Sequence, residues 1–160
     1  MAVRVQTGDF DLTREVAQLR AAQGARAAQI GAIATFTGTV RDMNEDRGSV
    51  AAVSAMTLEH YPGMTERALA AIVAQARERW NIFDALVVHR VGPLFPQDQI
   101  VLVATVGAHR GEAFAACEFI MDYLKTRAPF WKKERTREGE RWVDARLSDD
   151  TAADKWAKPG

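Results

Sequence analysis

The stretch QIVLVATVGAHRGEAFAACEFIMDYLKTRAP, residues 99–129, decides the fold. Residues 99–108 are apolar and rich in β-branched side chains, and such a run predicts a buried strand. From about residue 110 to 127 the apolar side chains recur at helical spacing, which predicts a long helix that Pro129 ends. The side chains expected to face inward are Phe114, Cys117, Met121 and Leu124. The chain is thus expected to pass from a strand directly into a helix.

The flanking sequence predicts further strands and a second long helix. Strands are expected at residues 29–41, 50–61 and 84–92, and a hairpin at about 131–146 that turns at Glu138-Gly139. A short helix carrying Leu12, Val16 and Leu19 is expected to stop at Gly24, and Thr65 is the expected cap of the long helix TERALAAIVAQARERW. Residues 43–49 are predicted to form a turn or loop. Because strands occur in runs rather than in strict alternation with helices, the predicted fold class is α+β.

Length and composition are those of one soluble domain spanning residues 1–160. Of the 160 residues, 48% are hydrophobic and 26% charged, so the chain can bury a core without a disulfide or a metal. One cysteine, Cys117, and three histidines argue against a closed structural zinc site, and we expect no metal and no bound cofactor. The sequence shows neither an apolar run of the roughly 20 residues that span a bilayer nor the apolar core of a signal peptide. We therefore expect a cytoplasmic protein.

Charge is balanced overall but concentrated locally. The chain has 21 basic and 21 acidic residues, yet residues 125–146 hold eight basic side chains against four acidic ones. The basic residues are Lys125, Arg127, Lys132, Lys133, Arg135, Arg137, Arg141 and Arg146. A local basic patch on a neutral protein favours a small anionic ligand over nucleic acid, which usually requires a basic domain.

Two segments could hold such a ligand. GAHRG, residues 107–111, lies where a helix is predicted to begin, and unpaired N–H groups there attract anions that His109 and Arg110 could also bind. In KTRAPFWKKER, Lys125 and Lys132 flank a proline and two aromatic residues, and a partly dehydrated lysine suits proton transfer or imine chemistry. From the local sequence alone, a solvated basic surface is the favoured interpretation of each segment. Arg41, at a strand end, is a third candidate.

The remaining candidates have simpler interpretations. We expect His60 and His89 to be half-buried, hydrogen-bonded strand residues rather than ligands, and Cys117 to behave as a small apolar side chain. The sequence contains neither of the glycine-rich nucleotide-binding motifs GxGxxG and GxxxxGK[ST].

Five strings of the sequence occur in a characteristic order and spacing: FTGTVR (36–41), LEHYPGM (58–64), HRVGPLFPQD (89–98), AHRGEAFAACEFIMDYLKTRAPFWKKE (108–134) and RWVDAR (141–146). Together they resemble the large, catalytic subunit of molybdopterin synthase. The similarity runs from about residue 28 to 146. Residues 147–160 lie outside it and are expected to form a flexible tail.

The resemblance implies an α/β hammerhead-like domain with antiparallel strands and two main helices, and a sulfurtransferase of molybdenum cofactor biosynthesis. Such an enzyme places two sulfurs on cyclic pyranopterin monophosphate to form the molybdopterin dithiolene. Each sulfur arrives as a thiocarboxylate on the C-terminal Gly-Gly of a small ubiquitin-like partner subunit. The resemblance also implies a homodimer that binds one partner at each end, giving a heterotetramer.

Site residues are implied by the same resemblance. Lys125 and Lys132 match the family's essential lysines. The implied substrate contacts are Thr39, Val40, Arg41, His109, Arg110, Lys132, Lys133, Glu134 and Arg146. Thr39 stands where family members frequently have lysine, and residues 42–49 are longer and more acidic than the usual turn.

Two other functions are compatible with the residues alone. A lysine-dependent, imine-forming enzyme would use the same lysines, and borohydride would trap its substrate. A nucleic-acid-binding module would use the basic patch at 125–146 and bind with a steep salt dependence. The neutral total charge already disfavours the second alternative.

Overall fold

A computed structural model of the chain describes residues 2–46, 49–52, 54–137, 139–143 and 147–157. The strands are β1 Ala2–Gln6, β2 Ala32–Thr39, β3 Met43–Asp46, β4 Ser49–Ala52, β5 Ala55–His60, β6 Ile82–Arg90, β7 Gly92–Leu94, β8 Gln99–Gly107, β9 Phe130–Thr136 and β10 Gly139–Val143. The helices are α1 Leu12–Ala21, α2 Met64–Arg79, α3 Arg110–Arg127 and α4 Leu147–Asp154, with a 3₁₀ segment at Gly24–Gln29. Over the described ranges, none of these helices combines the length and the apolar character needed to cross a membrane.

Four strands form what we call the core sheet, in the order β1-β6-β8-β2. β8 pairs antiparallel with β6 and β2, whereas β1 runs parallel to β6. Every residue of β8 from Val101 to Gly107 is buried, because helices cover both faces. Val103 packs with side chains of α2 and α3, while Leu102 packs with Leu19 of α1. The core sheet is therefore the middle layer of three.

A second group of four strands, the hairpin sheet, has the order β10-β9-β5-β7 and is antiparallel throughout. One of its faces packs on a small apolar cluster made of Val40, Met56, Leu58, Val91 and Leu94. Val40 follows β2 and Val91 follows β6, so this cluster joins the hairpin sheet to one end of the core sheet.

The α+β class, the antiparallel strands at 84–92 and 99–108, and the two main helices are confirmed. The expected hairpin is confirmed over its described strands, β9 and β10. The predicted cap of α2 is wrong. Gly63, at φ 82°, precedes the helix and donates its N–H to the Glu66 carboxylate at 2.6 Å. Thr65 is instead buried, with its hydroxyl donating to the Pro129 carbonyl at 2.9 Å and accepting from the Tyr61 N–H at 3.0 Å.

The predicted loop at residues 43–49 is also wrong. β3 and β4 form a two-stranded antiparallel ribbon, so the strand expected at 50–61 is divided between β4 and β5. A polar segment can do this because ribbon pairing satisfies backbone N–H and C=O groups without an apolar side-chain pattern.

The inward face of α3 is confirmed at Cys117, Met121 and Leu124, which are buried. Phe114 is the exception, with 64% of its surface exposed. Ala113, rather than Phe114, lies on the buried face of α3. The apolar character of Phe114 led to its wrong assignment to that face.

The described part of the C-terminal tail differs from the expected flexible segment. It contains α4, and the Trp156 ring meets Trp80 and Phe119 edge-on at centroid distances of 5.3 and 5.7 Å. The Arg79 guanidinium donates to the Trp156 carbonyl at 2.7 Å. Aromatic burial therefore docks this segment on α2 and α3.

Candidate active site

The last turn of α3 and the start of β9 bring the two lysines of the KTRAPFWK string to one end of the molecule. Lys125 is exposed in the last turn of α3, where a cation is favoured by the negative end of the helix dipole. Ala128 is extended, Pro129 follows, and β9 begins at Phe130. Lys132 is the third residue of β9, and 32% of its side chain is exposed.

An imidazole–phenyl stack lies at the same end of the molecule. The buried His89 ring, at the end of β6, stacks on Phe130 with centroids 3.9 Å apart and 20° between the planes. Its Nδ1–H donates to the Arg90 carbonyl at 2.9 Å. Burial, together with the positive charges of Lys125 and His60, lowers the pKa of His89 to about 4. The stack is thus neutral at physiological pH, and the effect of Lys125 shows that its ammonium is near.

Lys132 belongs to a buried ion network. Its Nζ lies 2.9 Å from one carboxylate oxygen of Glu134, and a guanidinium nitrogen of Arg141 lies 3.4 Å from the other. Glu134 is 1% exposed, so its charge requires these partners. Residues Lys132 and Glu134 share one face of β9, because they lie opposite the buried side chains Leu58 and Met56 of β5.

The segment Thr39–Arg41 reaches the same end of the molecule. Val40 is buried in the cluster that also contains Leu58, the residue opposite Lys132. The Val40 N–H donates to the Asp98 carbonyl at 2.9 Å and its carbonyl accepts from the Gln97 N–H at 2.9 Å. Val40 therefore anchors the segment, and the exposed Thr39 and Arg41 are the residues that can face a ligand.

His109 and Arg110 lie at the opposite end of α3. Both are exposed, His109 immediately precedes the helix, and Arg110 begins it. Fifteen residues separate Arg110 from Lys125, a distance of about 22 Å at 1.5 Å per residue. The start of β2 lies beside this same end, and Gly31 is needed there because a Cβ would lie 2.2 Å from the Ala108 carbonyl oxygen.

Within one chain, the expected substrate contacts Arg41 and His109 lie at opposite ends of the core sheet. In the antiparallel pair of β2 and β8, Thr39 lies opposite Gln99 whereas Ala32 lies opposite Gly107. Arg41 is therefore at the lysine end of the sheet, and one chain does not bring it to His109.

The other predicted contacts divide between the two faces of the hairpin. Lys133 lies on the outer face, with its Nζ 2.8 Å from Glu140 and 5.5 Å from the centre of the Trp142 ring. Trp131 is also on this face and 46% exposed, so Phe130 is the residue placed to wall a pocket beside Lys132. Glu134 is buried rather than free to contact substrate, and Arg146 lies outside the described residues.

The sequence did not predict the contacts that His89 and Arg141 make in this region. His89 was predicted only as a hydrogen-bonded strand residue, and the hydrogen bond is confirmed while the stack on Phe130 was not foreseen. Arg141 was counted only as one of several basic residues. Its position opposite Glu134 follows from the observed hairpin register, in which Gly139 pairs with Thr136. A two-residue turn at Glu138-Gly139 would have placed Val143 there instead.

Metal ligands are not grouped in this region. Within the ranges given above, no set of three His, Cys, Asp or Glu side chains is arranged to hold an ion. Cys117 is buried, and burial raises the pKa of its thiol to about 11. The chemistry of this end of the molecule is therefore that of ammonium and guanidinium groups beside an aromatic wall.

Known proteins share both the sequence and this fold. The family model described as MoaE protein matches residues 5–127, an earlier start than the similarity from residue 28 predicted. The molybdopterin synthase catalytic subunit of Ralstonia nicotianae is 63% identical over 154 residues, covering 96% of this chain and 83% of that protein. The corresponding subunit of Escherichia coli is 60% identical over 126 residues, covering 79% of this chain and 81% of that protein.

Solved structures agree. The molybdopterin biosynthesis MoaE protein from Burkholderia ambifaria has a TM-score of 0.78 and 60% identity, and the match covers 98% of each chain. None of the proteins named here is an imine-forming enzyme or a nucleic-acid-binding protein. The chain belongs to the MoaE family.

Proposed function

We propose that this chain is the catalytic subunit that adds two sulfurs to cyclic pyranopterin monophosphate, forming the dithiolene of molybdopterin. The observation that supports this most directly is the His89–Phe130 stack, with the charge of Lys125 close to His89 and Lys132 two residues after Phe130 on β9. A cyclic phosphate and a thiocarboxylate are both anions, and a flat pterin ring suits an aromatic wall. The reaction is proposed to occur in the cytoplasm.

The lysines are assigned different parts of the reaction. The Lys132 ammonium pairs with the buried Glu134 carboxylate, and its fixed position suits it to stabilising negative charge that develops during sulfur addition and ring opening. Lys125 is exposed at the helix end and is suited to giving and taking protons. Arg41 at the end of β2 adds a guanidinium that can bind a phosphate oxygen.

The sulfur donor is proposed to be a small ubiquitin-like subunit whose C-terminal Gly-Gly carries a thiocarboxylate. The tail would pass between Arg41 and the end of α3, where glycines fit because they have no Cβ to meet narrow walls. Extension of the tail by one bulky residue is expected to abolish sulfur transfer while the two subunits still associate. Normal transfer by the extended partner would contradict a threaded tail.

A second copy of the chain is proposed to complete the site. His109 and Arg110 lie about 22 Å along α3 from Lys125, too far to contact the same small substrate within one chain. A homodimer can bring α3 of one copy, by its N-terminal end, to the lysines of the other. With a small subunit bound at each end, the assembly is a heterotetramer.

Mixed dimers test this arrangement. Arg110→Ala and Lys125→Ala homodimers are each expected to lose most activity. Their random mixture is expected to recover about a quarter of the wild-type activity, since half of the dimers contain one intact site. Absence of recovery, with exchange of subunits verified, would place all these residues in one chain.

The decisive experiment for the function is reconstitution. The chain is incubated with cyclic pyranopterin monophosphate and a thiocarboxylated small subunit, and molybdopterin is measured. Formation of molybdopterin that depends on both components is expected. Failure under conditions where a related synthase succeeds would overturn the proposal.

A further inference from the structure

The hairpin formed by β9 and β10 carries ion pairs on both of its faces. On the inner face, which packs on the apolar cluster around Leu58, Lys132 meets Glu134 at 2.9 Å. On the outer face, Lys133 meets Glu140 at 2.8 Å. The two pairs have almost the same length and differ mainly in burial.

Burial makes the inner pair unusual. Glu134 is 1% exposed, whereas Glu140 keeps 44% of its side chain exposed. A carboxylate held away from water is retained only when cations and hydrogen bonds replace its hydration. The outer pair is of the exposed kind that contributes little to stability.

Both carboxylate oxygens of Glu134 have a cationic partner. Oε1 meets Lys132, and Oε2 meets Arg141, which lies directly opposite Glu134 on β10. The carboxylate is therefore fixed from two strands, and the ammonium of Lys132 is fixed in turn. A lysine side chain has several freely rotating bonds, so such a fixed partner greatly narrows the positions of its Nζ.

We infer that Glu134 is a positioning residue for sulfur transfer: buried between Lys132 and Arg141, it holds the Lys132 ammonium where the substrate binds. This inference rests on the proposed function. It replaces the expected role of Glu134 as a substrate contact, since a side chain with 1% exposure has no surface for a ligand. Placement of a catalytic group to within a fraction of an ångström is worth a large factor in rate.

The test compares three variants in the complex with the thiocarboxylated partner. Glu134→Gln removes the charge and keeps the shape, and it is expected to lower kcat by about 10-fold or more with a much smaller change in KM. Glu134→Asp restores the charge and is expected to recover part of that loss. Glu140→Gln, the matched control on the outer face, is expected to stay within about twofold of wild type.

A second readout needs no substrate. Reductive methylation of the free chain, followed by mass spectrometry of the β9 peptide, reports how accessible each lysine amine is. Lys132 is expected to react faster in Glu134→Gln than in wild type, while Lys133 reacts equally in both. In Glu140→Gln the change is expected at Lys133 instead.

The outcomes distinguish a failure of the positioning role of Glu134 from a failure of the proposed function of the chain. Wild-type kcat in Glu134→Gln, or unchanged Lys132 methylation in that variant, would overturn the positioning role. If Glu134→Gln does not fold, Glu134→Asp decides: altered Lys132 methylation with lowered kcat supports the inference, and wild-type behaviour in both overturns it. If the wild-type chain makes no molybdopterin, the proposed function fails, and the methylation result still decides the link between Glu134 and Lys132.

Discussion

The core sheet and the hairpin sheet have the same number of strands, but their central strands differ in how many charged side chains they carry. The central strand of the core sheet, β8, is buried from Val101 to Gly107 and contains no charged side chain. The β9 strand of the hairpin sheet has four charged residues among seven, including the buried Glu134. The first sheet stabilises the molecule, while the second holds charges at fixed positions. The comparison suggests that mutations in the two sheets should affect different measurements.

The two sheets meet at the His89–Phe130 stack. His89 ends β6 of the core sheet, and Phe130 begins β9 of the hairpin sheet. Lys125 lies beside this stack, so the two rings, together with the apolar cluster around Val40, connect the core sheet to the charged residues. Four predictions test how far the division between framework and site holds, in order of decreasing effect.

Lys125→Ala is expected to cause the largest loss of activity while leaving the stability of the fold unchanged. Loss of a proton-transfer group should lower turnover by roughly 10²- to 10⁴-fold. The urea midpoint should not change, since Lys125 is exposed. Arg127→Ala is the control, because it removes a cation two residues away that stacks on Tyr123 at 4.2 Å. Near-normal turnover of a folded Lys125→Ala enzyme would refute the assignment.

Phe119→Ala is expected to give the reverse result. Phe119 is fully buried between Trp80 and Trp156, so its loss should reduce the free energy of unfolding by about 3–5 kcal/mol. Turnover per folded molecule should stay close to wild type. Phe114→Ala, on the exposed side of the same helix, should change stability by no more than about 0.5 kcal/mol. Urea unfolding of the pair measures the difference, and equal losses would contradict the packing described.

Acid should destabilise the protein through His89, the core-sheet residue that stacks on Phe130 of the hairpin sheet. In the unfolded chain His89 takes up a proton below pH 6.5, whereas in the folded chain its pKa is about 4. Above pH 6.5, His89 is neutral in both the folded and the unfolded chain. As pH falls from 6.5 towards 4, the unfolded chain binds a proton that the folded chain does not, so the free energy of unfolding decreases by about 3 kcal/mol in total.

His89→Phe keeps a ring on Phe130 and removes this titration. Its free energy of unfolding should fall less steeply than that of wild type between pH 6.5 and 4. A His109→Gln control, at an exposed histidine, should follow the wild-type curve. Parallel curves for wild type and His89→Phe would show that His89 is not the group responsible.

Cys117 should give the smallest effect. Its thiol is buried against the Val103 carbonyl, and burial raises its pKa to about 11. We expect no reaction of the native protein with a disulfide reagent at pH 8 within minutes, and full reaction after unfolding. Cys117→Ala should retain sulfur transfer, since the proposed sulfur donor is the partner subunit. Rapid labelling of the native chain would show that α3 opens readily.

Strong local patterns explain what could be predicted from the sequence. The apolar run at 99–108 and the helical spacing at 110–127 gave β8 and α3 almost to the residue. β3, and its pairing with β4, were missed because this ribbon depends on backbone groups rather than on apolar alternation. The docked C-terminal segment was missed because Trp156 finds its partners, Trp80 and Phe119, far away in the sequence.

Individual residues of the candidate site could be named from the sequence, but their positions relative to one another could not. The string around Lys125 and Lys132 predicts that both lysines belong to one site, and this stays a prediction. The separation of Arg41 from His109 depends on the register of β2 against β8, which no local pattern encodes. The buried state of Glu134 likewise depends on strands β5 and β10 on either side of it.

The edge-on pair of Trp80 and Trp156 gives the molecule an optical signature. Two indoles 5.3 Å apart and perpendicular are close enough for their excited states to couple. The coupled pair should add an exciton feature to the circular dichroism spectrum that disappears when the C-terminal segment leaves α2. The docking of that segment can therefore be followed in solution without any attached label, including while the partner subunit binds.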